Sequence, residues 1–264
     1  MTAAPAHPVI PPPRAVLFDL FHTLASVPPP ALSGETPVPE ILGVPADDWE
    51  RLYYEQDVLG RCVGRVLDPI EAMRLVTHAI DRSVPEARIL AAVESRRRRF
   101  DAGLVGIEPG ILSALDRLRA AGIRTALVSD AGADDVEGWK ASPLCTRLDA
   151  AVFSFEVGVR KPDARIYQYA LDAVGIAAAD AIFVGDGGSD EHRGARALGM
   201  KTVLVTRLLS AWYPDAIVSR RACADWEFDD VPAFVDALLS TGVLDNRNHE
   251  HAKAPKAHEE EGNW

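Results

Sequence analysis

Cysteine is scarce in this chain: Cys62, Cys145 and Cys223 are the only three, and no two are spaced as CxxC. An odd, scattered set excludes a disulfide framework and a zinc ribbon and suits a reducing compartment. No run reaches the roughly 18 uninterrupted apolar residues a membrane span needs, and the opening MTAAPAHPVIPPP lacks the basic start and apolar stretch of a signal peptide. The expected location is cytoplasmic. Positive charge is in deficit, since 28 Lys and Arg against 39 Asp and Glu leave a formal charge of −11. Such a surface repels phosphate backbones and anionic membranes, so neither nucleic acid nor lipid is an expected partner. Nothing in the composition fixes an oligomeric state.

What is present is an ordinary globular composition: 264 residues, 48% hydrophobic and 25% charged, near the size at which one core begins to divide. Short apolar runs, Ala15 to Asp19, Arg124 to Ser129, Ala150 to Ser154, Ala181 to Gly185 and Lys201 to Val205, read as strands buried on both faces. Helical patterns punctuated by Pro109 and Gly122, by Pro162 and Gly175, and by Gly199 separate the later ones. Such alternation implies an α/β fold, a Rossmann-like three-layer core around a parallel sheet.

About a hundred residues without a strand pattern separate the first run from the second, far more than one crossover needs. Helical spacing recurs there over Asp47 to Gly60, Asp68 to Arg82 and Pro85 to Phe100, with Asp68 as N-cap and a Ser83/Glu86 capping box, so the insert reads as all-helical. The Arg96 to Arg99 run wraps around its helix and reads as a solvated face. The expected division is a flexible Pro-rich 1–13, a core of 14–25 and 108–244, a helical cap of 26–107, and a disordered tail of 245–264.

Ligands of open parallel sheets bind at the carboxyl ends of strands. Four polar residues fall there: Asp19 in FDLFHTL, Ser129 in LVSDAG, Lys161 in VGVRKPDA and Asp186 in FVGDGGSDE. These stretches, in this order and spacing, resemble the haloacid dehalogenase superfamily of hydrolases, whose members carry a helical cap after the first strand. The resemblance runs from about Val16 to Val205 and implies a hydrolase with Asp19 as nucleophile and Ser129 and Lys161 as charge stabilisers. It further implies Thr23 and Asp130 near the substrate. Mg2+ would be held by Asp19, the backbone carbonyl of Phe21 and Asp186, with Asp190 or Glu191 as the outer acid. A carboxylate can attack phosphorus or carbon to give a covalent intermediate that water opens, and fixed donors with a divalent cation meet the developing charge. Asp163 reads as the cap of the following helix.

One position departs from the pattern. Phosphatases of this family usually carry a second Asp two residues after the nucleophile, to protonate the leaving oxygen; here Phe21 stands there. Loss of a general acid typically costs about 10² to 10⁴ in rate. A phosphohydrolase acting on a small phosphorylated metabolite remains the expected reading, with good leaving groups or with His22 as substitute acid; Glu55 or Asp57 of the cap are further candidates. A 2-haloacid dehalogenase is the alternative, since halide needs no proton and an aromatic residue occurs at this place in those relatives, with Arg51, Arg61 or Arg65 as candidate carboxylate partners. Against it, GDGGSDE keeps an acid-rich cation site. A catalytically weakened fold that binds a phosphometabolite or protein is the third reading. Cleavage of a C–P bond through a cap lysine is excluded, because no lysine precedes Lys140.

Overall fold

The computed structural model describes residues 10–29, 34–57 and 59–250. Six parallel strands form one sheet in the order β3-β2-β1-β4-β5-β6. They are β1 (Ala15–Phe18), β2 (Arg124–Ser129), β3 (Ala150–Phe153), β4 (Ala181–Gly185), β5 (Lys201–Val205) and β6 (Trp226–Phe228). Alternation along β1 explains why both faces are covered. Val16 and Phe18 enter one apolar cluster, and Ala15 and Leu17 enter the other. β6 was not expected, since Trp226-Glu227-Phe228 is a half-exposed edge strand with an acid in its middle.

The principal helices are α1 (Pro69–Ile80), α2 (Glu86–Val105), α3 (Pro109–Ala120), α4 (Ala164–Val174), α5 (Glu191–Ala197), α6 (Ile217–Arg221) and α7 (Val231–Glu250). Ile111, Leu115 and Leu118 of α3 join Phe234 and Leu238 of α7 over one sheet face, while Ile166, Tyr167 and Leu171 of α4 cover the other. The result is the expected three-layer arrangement.

Between β1 and β2 the chain is helical wherever it is regular, and it has its own apolar cluster built on Trp49, Tyr53, Met73 and Ile89. Asp68 caps α1 as expected, accepting from the Glu71 N–H at 2.9 Å behind Pro69. The Ser83/Glu86 capping box does not form: Pro85 occupies the N-cap, Ser83 donates to Asp81 instead, and Glu86 pairs with Arg74 of α1. The helix expected over Asp47 to Gly60 is broken. One turn of α-helix, Ala46–Glu50, passes into a wider π-turn, Arg51–Glu55, and Asp57 then takes φ 43°.

Two expectations at the ends change. Ile10, within the stretch taken as flexible, is 1% exposed and packs in the main cluster. Helix α7 continues to Glu250, into the segment expected to be disordered; residues 1–9 and 251–264 lie outside the described residues. No described helix is long and apolar enough to cross a membrane. All three cysteines are free thiols.

Candidate active site

Because β1 is paired on one side with β2 and on the other with β4, the carboxyl ends of all three lie together. Asp19 is the first residue past β1, and its N–H donates to Val184 O at 2.9 Å, continuing the register into β4. Its side chain is buried. Oδ1 accepts from Lys161 Nζ at 2.5 Å and Oδ2 from Thr23 Oγ1 at 3.1 Å. Thr23 is brought back over Asp19 by a tight turn in which His22 N–H donates to Ala25 O at 2.8 Å. It orients the carboxylate directly. Lys161 Nζ also donates to Glu191 Oε2 at 2.7 Å, and its backbone N–H to Asp130 Oδ1 at 2.8 Å. Asp130 therefore ties the loop after β3 to the end of β2. Ser129 is fully buried at that end, and its Oγ has no hydrogen-bond partner among the described residues.

One carboxylate oxygen each from Asp19, Asp186 and Glu191 lie within 4.8 Å of one another. Glu191 opens α5 and accepts from the Gly187 N–H at 2.7 Å, while Asp186 accepts from the Gly188 N–H at 2.8 Å. Asp190 is not brought to this cluster. It is exposed, adopts φ 51°, and approaches Arg193 at 3.9 Å. Two glycines are required here for different reasons. A Cβ on Gly185 would collide with Glu191 Oε1, and Gly187 turns the chain at φ 83°.

The three acids are in excess over their counter-ions. Burial opposes the Lys161 ammonium, yet the Asp19 and Glu191 carboxylates hold it well above the usual lysine range. Burial pushes Asp19 and Glu191 upward against the pull of Lys161, and Asp186 adds repulsion to both. A hard divalent cation with oxygen ligands relieves that repulsion, so the donor set fits Mg2+.

Sequence reasoning missed the second cation of the site. Arg220 of α6 donates to Asp186 Oδ2 at 2.7 Å and to the Asp186 carbonyl at 3.0 Å. No local pattern sets it apart from Arg221, which pairs with Glu227 at the surface. His22 is half-buried at φ 66°, with its ring 5.4 Å from Trp212 and 5.7 Å from Tyr213. Burial lowers its pKa, against Asp186 and Asp19, so the ring is neutral near pH 7; its Nδ1 has no partner among the described residues. Phe21 stands edge-on to Phe100 of α2 at 5.2 Å, linking the first loop to the helical insertion.

The insertion is fastened to the strand ends by buried ion pairs. Arg61 reaches Asp134 at 2.8 Å and Asp135 at 2.6 Å; Arg96 reaches Asp134 at 3.0 Å and also pairs with Asp135; Tyr53 donates to Asp134 at 2.6 Å. Arg96 is 2% exposed, so the arginine run is not a uniform solvated face. Arg51 pairs locally with Asp48 and Arg65 is exposed, and Asp163 caps α4 through the Arg165 N–H. Asp57 accepts from the Arg61 and Cys62 N–H groups, away from the acids; the Glu55 side chain lies outside what is described. Between insertion and strand ends lies a cavity of about 730 Å³ bordered by Phe21, His22, Asp130 and Phe100.

A family model described as haloacid dehalogenase-like hydrolase matches residues 67–205. The chain is 27% identical over 197 residues to (S)-2-haloacid dehalogenase 1 of Pseudomonas sp. (strain CBS-3), covering 74% of this chain and 85% of that protein. It is 35% identical over 133 residues to a phosphoserine phosphatase of Thermus thermophilus, covering 49% of this chain and 51% of the relative. A solved 2-haloacid dehalogenase from Pseudomonas syringae shares the fold, with a TM-score of 0.58 and 23% identity over 86% of this chain and 98% of that one.

Proposed function

This chain belongs to the haloacid dehalogenase-like hydrolases, and from that premise we propose that it is a Mg2+-dependent phosphohydrolase of a small phosphorylated metabolite, with Asp19 as nucleophile. The observation that carries this reading is the buried triad of Asp19, Asp186 and Glu191, three acids gathered within 4.8 Å where transfer to carbon would need one. Mg2+ held by Asp19, the Phe21 carbonyl and Asp186, with Glu191 beside them, would supply positive charge against the transferring phosphoryl group.

Asp19 Oδ attacks phosphorus as the ester P–O bond breaks, leaving an acyl phosphate on Asp19 and releasing the leaving group as its anion. Ser129 Oγ–H, which has no acceptor among the described residues, and the Lys161 ammonium donate to the phosphoryl oxygens. Water then attacks phosphorus, the Asp19–phosphate bond breaks, and the carboxylate is restored. The neutral His22 ring, whose buried Nδ1 has no partner among the described residues, takes the proton that this water loses. Phe21 has no proton for the leaving oxygen, which favours substrates whose leaving groups are stable as anions. The helical segment serves as the cap over the site.

A 2-haloacid dehalogenase is the second reading. It is favoured by Phe21 and by the 197-residue similarity to a dehalogenase. Phosphate release from a panel of phosphate esters and acyl phosphates, with Mg2+ and with EDTA, beside halide release from 2-haloacids, separates the two. Mg2+-dependent phosphate release supports the first; halide release indifferent to EDTA overturns it.

A further inference from the structure

The cavity beside the acid triad is lined by four arginines, and two of them are already neutralised. Arg61 and Arg96 spend their charge on Asp134 and Asp135. The other two, Arg99 and Arg160, have no hydrogen bond or ion pair through their guanidinium groups among the described residues. Of the lining acids, Asp135 is within the neutralised set, Asp130 receives the Lys161 N–H, and Glu50 is the third. Counting Asp134, which pairs with both Arg61 and Arg96, four arginines meet four carboxylates; what sets Arg99 and Arg160 apart is that no carboxylate pairs with them directly among the described residues.

Arg99 is the better placed of the two. It is half-buried near the end of α2, its guanidinium carbon lies 5.3 Å from the Phe100 ring centre, and it acts electrostatically on His22 and Tyr213. Phe100 in turn meets Phe21, two residues from the nucleophile. A half-buried guanidinium with no ion pair among the described residues, at the edge of a cavity, is available to a bound anion. Phe21, Phe100 and Tyr213 line the same cavity.

Resting on the phosphohydrolase reading, we infer that the substrate carries a second anionic group, a carboxylate or a further phosphate, at the end of a short apolar body opposite the transferred phosphoryl group. Arg99 is its counter-ion and Arg160 a secondary one. The substrate class is accordingly phosphorylated acids, and Arg99 determines that specificity.

The test compares kcat/KM for matched phosphate esters of equal length that end in a methyl group, a carboxylate or a phosphate. The native protein is expected to prefer an anionic end by on the order of 10- to 100-fold, expressed mainly in KM. The two anionic arms decide which group is meant. In Arg99→Ala the preference falls toward unity; Arg99→Lys restores part of it; Arg97→Ala, which removes an exposed arginine of the same helix paired with Glu94, leaves it intact. Thermal melting reports whether each variant is folded. Ester hydrolysis without preference for an anionic end, or a preference that survives Arg99→Ala, overturns the inference alone. Failure to hydrolyse any phosphate ester overturns it together with the reading it rests on.

Discussion

Ser129 is a buried hydroxyl with nothing to donate to among the described residues, an arrangement that costs stability unless a ligand completes it. Ser129→Ala is therefore expected to lower kcat by about 10² to 10³, the usual loss of one charge-stabilising donor, while leaving the urea midpoint unchanged or slightly raised. A large fall in stability with an intact rate would contradict this. Thr23 acts differently, through Asp19 Oδ2. Thr23→Val leaves the nucleophile present but less well oriented, so kcat should fall by roughly tenfold, about 1.4 kcal/mol of barrier, with KM little changed. Their positions follow from strand ends and the loops just past them, which is why Asp19, Ser129 and Lys161 were legible in sequence. Arg220 was not, because its partner Asp186 is 34 residues away and only the folded chain brings them together.

At the scale of elements, the helical insertion and the β2 end share four buried charges and one phenol. Removing one partner of such a set leaves others uncompensated. Asp134→Asn is expected to cost about 3–5 kcal/mol in urea unfolding. Burial works against the Asp134 charge, but Arg96 and Arg61 hold its carboxyl well below the usual range. Since the folded pKa is depressed, the contribution is complete above the unfolded value of about 3.9 and is lost as pH falls through the folded value. Unfolding at pH 7 and pH 3 should show a smaller acid-side loss in Asp134→Asn than in the native chain. This fastening was hidden in sequence. Four consecutive arginines describe every direction around a helix, and nothing local says that Arg96 meets Asp134, 38 positions on.

For the whole molecule, the α/β core was legible because its strands are short and apolar on both faces, while β6 escaped as a half-exposed edge with Glu227 at its centre. The choice between Asp190 and Glu191 depended on which way the first residues of α5 turn, and only Glu191 turns inward. If the triad binds a cation in the native state, Mg2+ raises the melting temperature, by the equivalent of about 2.7 kcal/mol at a hundredfold excess over Kd. Asp190→Asn should keep that shift and Glu191→Gln should reduce it. Equal shifts in both would remove Glu191 from the site.

The most direct test of the central claim is a turnover in heavy-oxygen water, followed by mass analysis of the released phosphate and of the peptide containing Asp19. Attack of water on phosphorus places the label in phosphate and leaves Asp19 unlabelled, which is the predicted result. Label in the Asp19 carboxylate, the mark of water attacking its carbonyl carbon, would contradict this account, and together with halide release from a 2-haloacid it would establish the dehalogenase in its place.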